Sequence, residues 1–175
     1  KPQLGPDQQL DFCDYETVDL TPLYNTTGLM PSWSLGGSAV SNPTTVNTPG
    51  IYTLIAMNNS GCSDTAEVVL NMNIAPVLGP DQPVDFCSNT TVNLNSLYNI
   101  TGLTSQWTYN GIVVVIPTSV NTTGDYTLAV MDANGCVDTA VATLSSLPLP
   151  SLGPDQTADL CSGQTFDLTT LFNTI

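Results

Sequence analysis

Tyr126-Thr127-Leu128-Ala129-Val130-Met131, then Asp132-Ala133-Asn134-Gly135, then Asp138-Thr139-Ala140-Val141-Ala142-Thr143-Leu144, is the stretch on which the fold turns. Tyr126, Leu128 and Val130 alternate with Thr127, Ala129 and Met131. That period of two turns the first set toward a core and the second away from it. The four residues after Met131 are turn formers, and their Asn-Gly pair favours a tight hairpin. Ala140, Ala142 and Leu144 then share one face of a returning strand. An earlier segment repeats the pattern, with Ala66, Val68, Leu70 and Met72 on the core side of its own last strand.

Working outward, the two hairpins prove to be copies. Leu4-Gly5-Pro6-Asp7-Gln8, Leu78-Gly79-Pro80-Asp81-Gln82 and Leu152-Gly153-Pro154-Asp155-Gln156 recur 74 residues apart, each with an Asp and a Cys close behind. Trp33 matches Trp107, Gly50 and Tyr52 match Gly124 and Tyr126, and Gly61-Cys62 matches Gly135-Cys136. A fixed period marks one structural unit used repeatedly. The units are 1–77, 78–151 and the opening strands of a third at 152–175. Because the third unit stops at Ile175, the reading expects an interior slice of a longer exported polypeptide.

Each unit reads as strand throughout. Besides the hairpins at 51–57 with 64–72 and 126–131 with 138–144, short strands are expected near 9–12, 17–20, 32–35, 39–41 and 44–47. Leu20-Thr21-Pro22-Leu23-Tyr24 and Asn95-Ser96-Leu97-Tyr98 suit single helical turns. About seven short strands with regular turn signals predict an all-β fold of tandem immunoglobulin-like β-sandwiches, with Trp33 and Trp107 in the cores. The joins, Ile74-Ala75-Pro76-Val77 and Leu147-Pro148-Leu149-Pro150, are short and Pro-bearing, so the units are expected to form a rod.

Charge narrows the partners. Fifteen acidic residues face one Lys, no Arg and no His, for a net charge of −14. Nucleic acid and anionic membrane both require cations, so neither is an expected partner. No apolar run has membrane-spanning length. Without His, and with Lys1 alone, acid–base catalysis would fall to carboxylates or Tyr, and no enzyme site is expected.

The five cysteines occupy two repeat positions: Cys13, Cys87 and Cys161 early, Cys62 and Cys136 late. Pairing within a unit gives Cys13–Cys62 and Cys87–Cys136, and leaves Cys161 for a partner one period past Cys136, at position 210. The alternative staples neighbours through Cys62–Cys87 and Cys136–Cys161. Tyr52 precedes Cys62 by ten residues, which rules out the antibody position for such a bridge. Either pairing implies an oxidising, extracytoplasmic compartment.

Gly-Pro-Asp is a turn by composition, with its Asp bonding nearby backbone. A second reading has Asp7 with Asp11, and Asp81 with Asp85, coordinating calcium at the boundary between units, as Asp155 and Asp159 would in the third. No other cofactor is expected.

The combination of LGPDQ…C, a central Trp, GxYTL, GC and DTA resembles the immunoglobulin/PKD-like tandem repeats of giant Bacteroidota surface proteins. The resemblance implies export by the type IX route to the cell surface, in an adhesin or gliding filament. It also implies O-glycosylation at Thr65 and Thr139, each preceded by Asp and followed by Ala. The expected function is an extracellular filament or adhesin stalk, secreted and glycosylated, whose stapled sandwiches hold a distal tip away from the cell. Its partners are the neighbouring repeats, with self-assembly into fibres as an extension. A calcium- or glycan-binding module, or a spacer beside a secreted enzyme, is the alternative.

Overall fold

A computed structural model of the chain describes residues 1–168. It holds two copies of one arrangement. In the first, β1 (Gln8–Cys13), β2 (Met30–Leu35), β3 (Ser38–Ala39), β4 (Gly50–Met57) and β5 (Ser63–Asn73) form a sheet in the order β1-β5-β4-β2-β3. In the second, β6 (Gln82–Cys87), β7 (Thr104–Tyr109), β8 (Ile112–Val113), β9 (Gly124–Met131) and β10 (Val137–Leu147) repeat that order. Neighbours run antiparallel except at one edge, where the opening strand lies parallel to the closing one: β1 on β5, β6 on β10.

The opposing layer is slighter than the sequence suggests. The strands expected at 17–20 and 44–47 reduce to a single bridge, Val18 to Val46, which recurs as Val92 to Val120. The Leu20 N–H adds one bond to the Pro43 carbonyl, at 2.9 Å. Proline has no N–H to return, so the ladder stops there. The chain beyond Leu20 winds into a short 3-10 turn at Thr21–Leu23, matched at Leu94–Ser96. The helical-turn expectation therefore holds within a residue or two.

The alternation works as expected in the hairpins. Tyr52, Leu54 and Ala56 of β4 are buried with Ala66, Val68 and Leu70 of β5, and Leu20 closes the core from the opposite layer. Tyr126, Leu128, Val130, Ala140, Ala142 and Leu144 do the same beneath Leu94. Trp33 and Trp107 are core residues, and each meets a buried tyrosine, Tyr24 or Tyr98, at a tilted angle. Burial of each such leucine contributes roughly 1.5–3 kcal/mol.

Three expectations are corrected. Met72 is exposed, because the β4–β5 ladder ends at Gly50 opposite Leu70 and only β1 accompanies β5 further. The hairpin turn is wider than a two-residue Asn-Gly turn: Asp132 accepts the N–H groups of Asn134 and Cys136, both at 2.9 Å, and Gly135 takes a φ of +88°. Finally, residues 152–168 contain no strand, and 169–175, the end of the third unit, lie outside the described residues. The opening strand of a unit pairs only with its closing strand, as Gln8 pairs with Val68, and among the described residues no strand lies beside 152–168.

Candidate functional site at the joint between repeats

Two recurring phrases of the sequence meet in space. The Leu78 N–H donates to Asp138 Oδ2 at 2.8 Å, while Asp81 Oδ1 accepts the Val141 N–H at 2.8 Å. In the first unit Leu4 donates to Asp64 at 2.9 Å, and Asp7 accepts from Glu67 at 2.8 Å. Leu-Gly-Pro-Asp and Asp-Thr-Ala thus clamp each other reciprocally, 60 residues apart in sequence. Gly79 permits the sharp approach with a φ of +86°. Lys1 adds an ion pair to Asp64 at 3.4 Å. The Asp64 carboxyl is held below the usual carboxylate range, first by the Leu4 N–H, with burial opposing and Lys1 assisting.

This geometry revises the reading of the Gly-Pro-Asp turn, whose Asp bonds the distant closing strand rather than nearby backbone. Asp11 accepts from the Asn71 side chain at 2.8 Å, and Asp85 is exposed on β6. Among the described residues no group of three or more acidic, Cys or His side chains is placed to hold a metal ion together. Thr65 and Thr139 are exposed.

The cysteines overturn both sequence pairings. Cys13 is bonded to Cys136, across the joint, with Cα atoms 5.6 Å apart and 123 residues of separation. Cys62, Cys87 and Cys161 are free and exposed. Cys13 ends β1 opposite Asn73, so it sits where the chain leaves the first unit. Cys136 lies in the β9–β10 loop, buried completely, its Sγ 3.9 Å from the Asn73 carbonyl oxygen. The within-unit pairing fails because the opening strand lies parallel to the closing strand. Its cysteine therefore ends up at the far end of β5, while Cys62 sits at the near end, before Ser63.

Further contacts complete the joint. The Asp14 N–H donates to the Asn73 carbonyl at 2.9 Å, and Asp14 Oδ1 accepts from Ala75 at 3.2 Å, fixing the linker as it leaves. Glu16 folds back to accept the Cys13 N–H at 2.9 Å. The Tyr15 hydroxyl accepts the Val137 N–H of the second unit at 3.2 Å. Sequence reasoning missed Asp14, Tyr15 and Glu16. Their signal was a departure from the repeat, since Ser88, Asn89 and Thr90 stand in their places.

One further tyrosine defines the class. Tyr52 donates its hydroxyl to the Thr48 carbonyl at 2.8 Å, and Tyr126 to that of Thr122 at 3.0 Å, four residues upstream in each case. This is the tyrosine-corner geometry of immunoglobulin sandwiches, on the strand that carries it there. The position two residues later, a cysteine in antibody domains, is Leu54 or Leu128, each fully buried. Together with the β5-β4-β2 and β10-β9-β7 orders, this makes the chain a tandem of immunoglobulin-like β-sandwiches whose cores rely on leucine where antibodies use a disulfide.

No family model matches the chain, and no curated protein matches it. Solved structures similar to it include Sidekick-1 immunoglobulin domains 1-4 (15% identity, TM-score 0.30, 81% of this chain and 50% of that one). Titin domains I67-I69 match at 12% identity and TM-score 0.39, over 83% of this chain and 64% of theirs. The insect immune protein hemolin matches at 13% and 0.39, over 83% and 46%. The chain spans about half the length of the Sidekick-1 fragment.

Proposed function

We propose that this chain is part of an extracellular stalk or filament in which stapled sandwiches in series hold a distal tip away from a cell surface. The observation that carries this reading is the Cys13–Cys136 bond, which joins consecutive repeats and leaves each core to hold itself together. A bond placed there limits rotation and separation of neighbours, which serves a load-bearing array. It also requires an oxidising compartment, in keeping with export. The sequence resemblance supplies the type IX route, the bacterial surface and O-glycans on the exposed Thr65 and Thr139. Small-angle scattering with and without reductant tests the mechanical part. An extended particle that becomes more flexible on reduction is expected; unchanged scattering overturns it.

A lateral reading has one observation in its favour. Ile112, Val113, Val115 and Ile116 are exposed at the β8 edge, where the first unit has Ser38, Ala39, Ser41 and Asn42. Ile112 and Val113 line an apolar groove of about 320 Å³ together with Tyr109 and Val114. Such an edge invites pairing between chains, and the charge of −14 opposes it until salt screens the repulsion. Sedimentation at rising salt should then show association that Val113→Lys abolishes.

A further inference from the structure

We propose that the early cysteine of each repeat bonds to the late cysteine of the repeat that follows. Cys87 is then the attachment site for the late cysteine of a following repeat, and Cys62 for the early cysteine of a preceding one. This rests on reading the chain as part of a longer array, and it makes the joint a covalent ladder.

Two free cysteines alone would carry nothing. The second observation is that their counterparts one period away, Cys13 and Cys136, are bonded to each other. Both halves of that joint are also preformed at the unbonded positions. Cys87 ends β6 opposite Leu147 as Cys13 ends β1 opposite Asn73. The Ser88 N–H meets the Leu147 carbonyl at 2.9 Å, as Asp14 meets Asn73. On the late side, Asn58 accepts the Cys62 N–H at 3.0 Å, as Asp132 accepts that of Cys136 at 2.9 Å. The loops close alike, through Asn58 N–H to the Cys62 carbonyl and Asp132 N–H to the Cys136 carbonyl. Cys136 is buried against the end of the first unit, its Sγ 3.9 Å from the Asn73 carbonyl oxygen, whereas Cys62 is exposed in the equivalent loop.

The ladder has a mechanical consequence. Tension arriving at Cys13 crosses to Cys136, runs along β10 and leaves at Leu147, bypassing the segment between the bonded cysteines. The segment between the bonded cysteines stays in a closed loop that pulling cannot extend, while β10, which contributes Ala140, Ala142 and Leu144 to its core, carries the load. Formation is a two-electron oxidation. Two thiols lose two protons and two electrons to a dithiol–disulfide oxidant of the exporting compartment. Its own disulfide is reduced to two thiols through a mixed-disulfide intermediate.

The test is cysteine mapping on the native polypeptide, alkylated without reduction and digested with pepsin at low pH, where exchange is slow. The ladder predicts that the Cys62 and Cys87 peptides each appear bonded to a neighbouring repeat. Alkylation of either, or a Cys62–Cys87 peptide, overturns it. A second arm replaces residues 152–175 with another copy of 78–151. Cys87 should then bond to the late cysteine of the added copy, while Cys62 alkylates; Cys87 that stays alkylatable beside a folded third repeat overturns the ladder. A rod that remains extended with both cysteines alkylated sinks the ladder and leaves the stalk reading standing.

Discussion

Cys13 and Cys136 are 123 residues apart in sequence and 5.6 Å apart between Cα atoms, joined across the boundary of two units that each possess their own core. A bond between separately folded bodies acts differently from one inside a core. It restrains how the bodies move, and it stabilises each through the other.

The first expected outcome concerns length under load. Pulled from its ends until both units unfold, the oxidised chain keeps the segment between Cys13 and Cys136 closed. Reduction should release 123 residue steps at roughly 3.5 Å each, or about 430 Å of contour. Pairing within units would hide two shorter loops and release only about 340 Å. Single-molecule stretching with and without reductant separates the two.

Stability should be coupled across the joint. With the first unit folded, Cys13 lies beside Asn73, so the bond closes a loop running from there through the second unit to Cys136. For a loop of about 60 residues the chain-entropy model gives ~4 kcal/mol. Reduction, or Cys13→Ser with Cys136→Ser, should lower the melting temperature on the order of 10 °C. Calorimetry should also show one oxidised transition splitting into two. An unchanged profile would mean that the bond carries no such coupling.

The clamp between Leu-Gly-Pro-Asp and Asp-Thr-Ala should be measurable by substitution. Asp138→Ala leaves the Leu78 N–H without its acceptor and should cost about 1–2 kcal/mol. The equivalent Asp64 adds a pH dependence. Its folded pKa lies below the ordinary carboxylate value, chiefly through the Leu4 N–H. Its contribution is therefore present above the unfolded value, near pH 4, and lost as pH falls through the folded one. Melting curves of the parent and Asp64→Ala should converge below about pH 4; a constant gap down to pH 2 contradicts the assignment.

At the alkaline end the tyrosines take over. Burial raises the pKa of Tyr24, Tyr52, Tyr98 and Tyr126, whose hydroxyls donate to backbone carbonyls. Stability from these groups is intact below the unfolded value, about pH 10, and is lost as pH rises through the raised folded values. Tyr52→Phe removes the bond to Thr48 and should cost about 1–2 kcal/mol at neutral pH while flattening the alkaline fall. Absorbance titration of the phenolates checks both.

Much of this architecture was legible in the residues alone. The two-residue alternation around Tyr126 and Tyr52 located the hairpins and most core positions, since a strand displays its burial pattern along its own length. Trp33 and Trp107 were assigned to the cores because an immunoglobulin-like sandwich buries a large residue of a middle strand, and both are buried. Met72 was misplaced because the extent of the partner strand, not the alternation, decides where cover ends. Tyr15 and Asp14 escaped notice because a reading built on recurrence passes over what fails to recur.

The sequence by itself determined the period, the all-β character and the positions of five cysteines in two series. It could not choose among pairings, because every translation-consistent partnering of the two series preserves the same 74-residue period. Tertiary structure decided it. The parallel pairing of β1 with β5 carries the early cysteine to the end of the unit where the next one begins. The hairpin loop of that next unit delivers the late cysteine to the same place. The same separation explains the aspartates at Asp7 and Asp81, whose recurrence was plain but whose partners, Glu67 and Val141, lie 60 residues away along the chain.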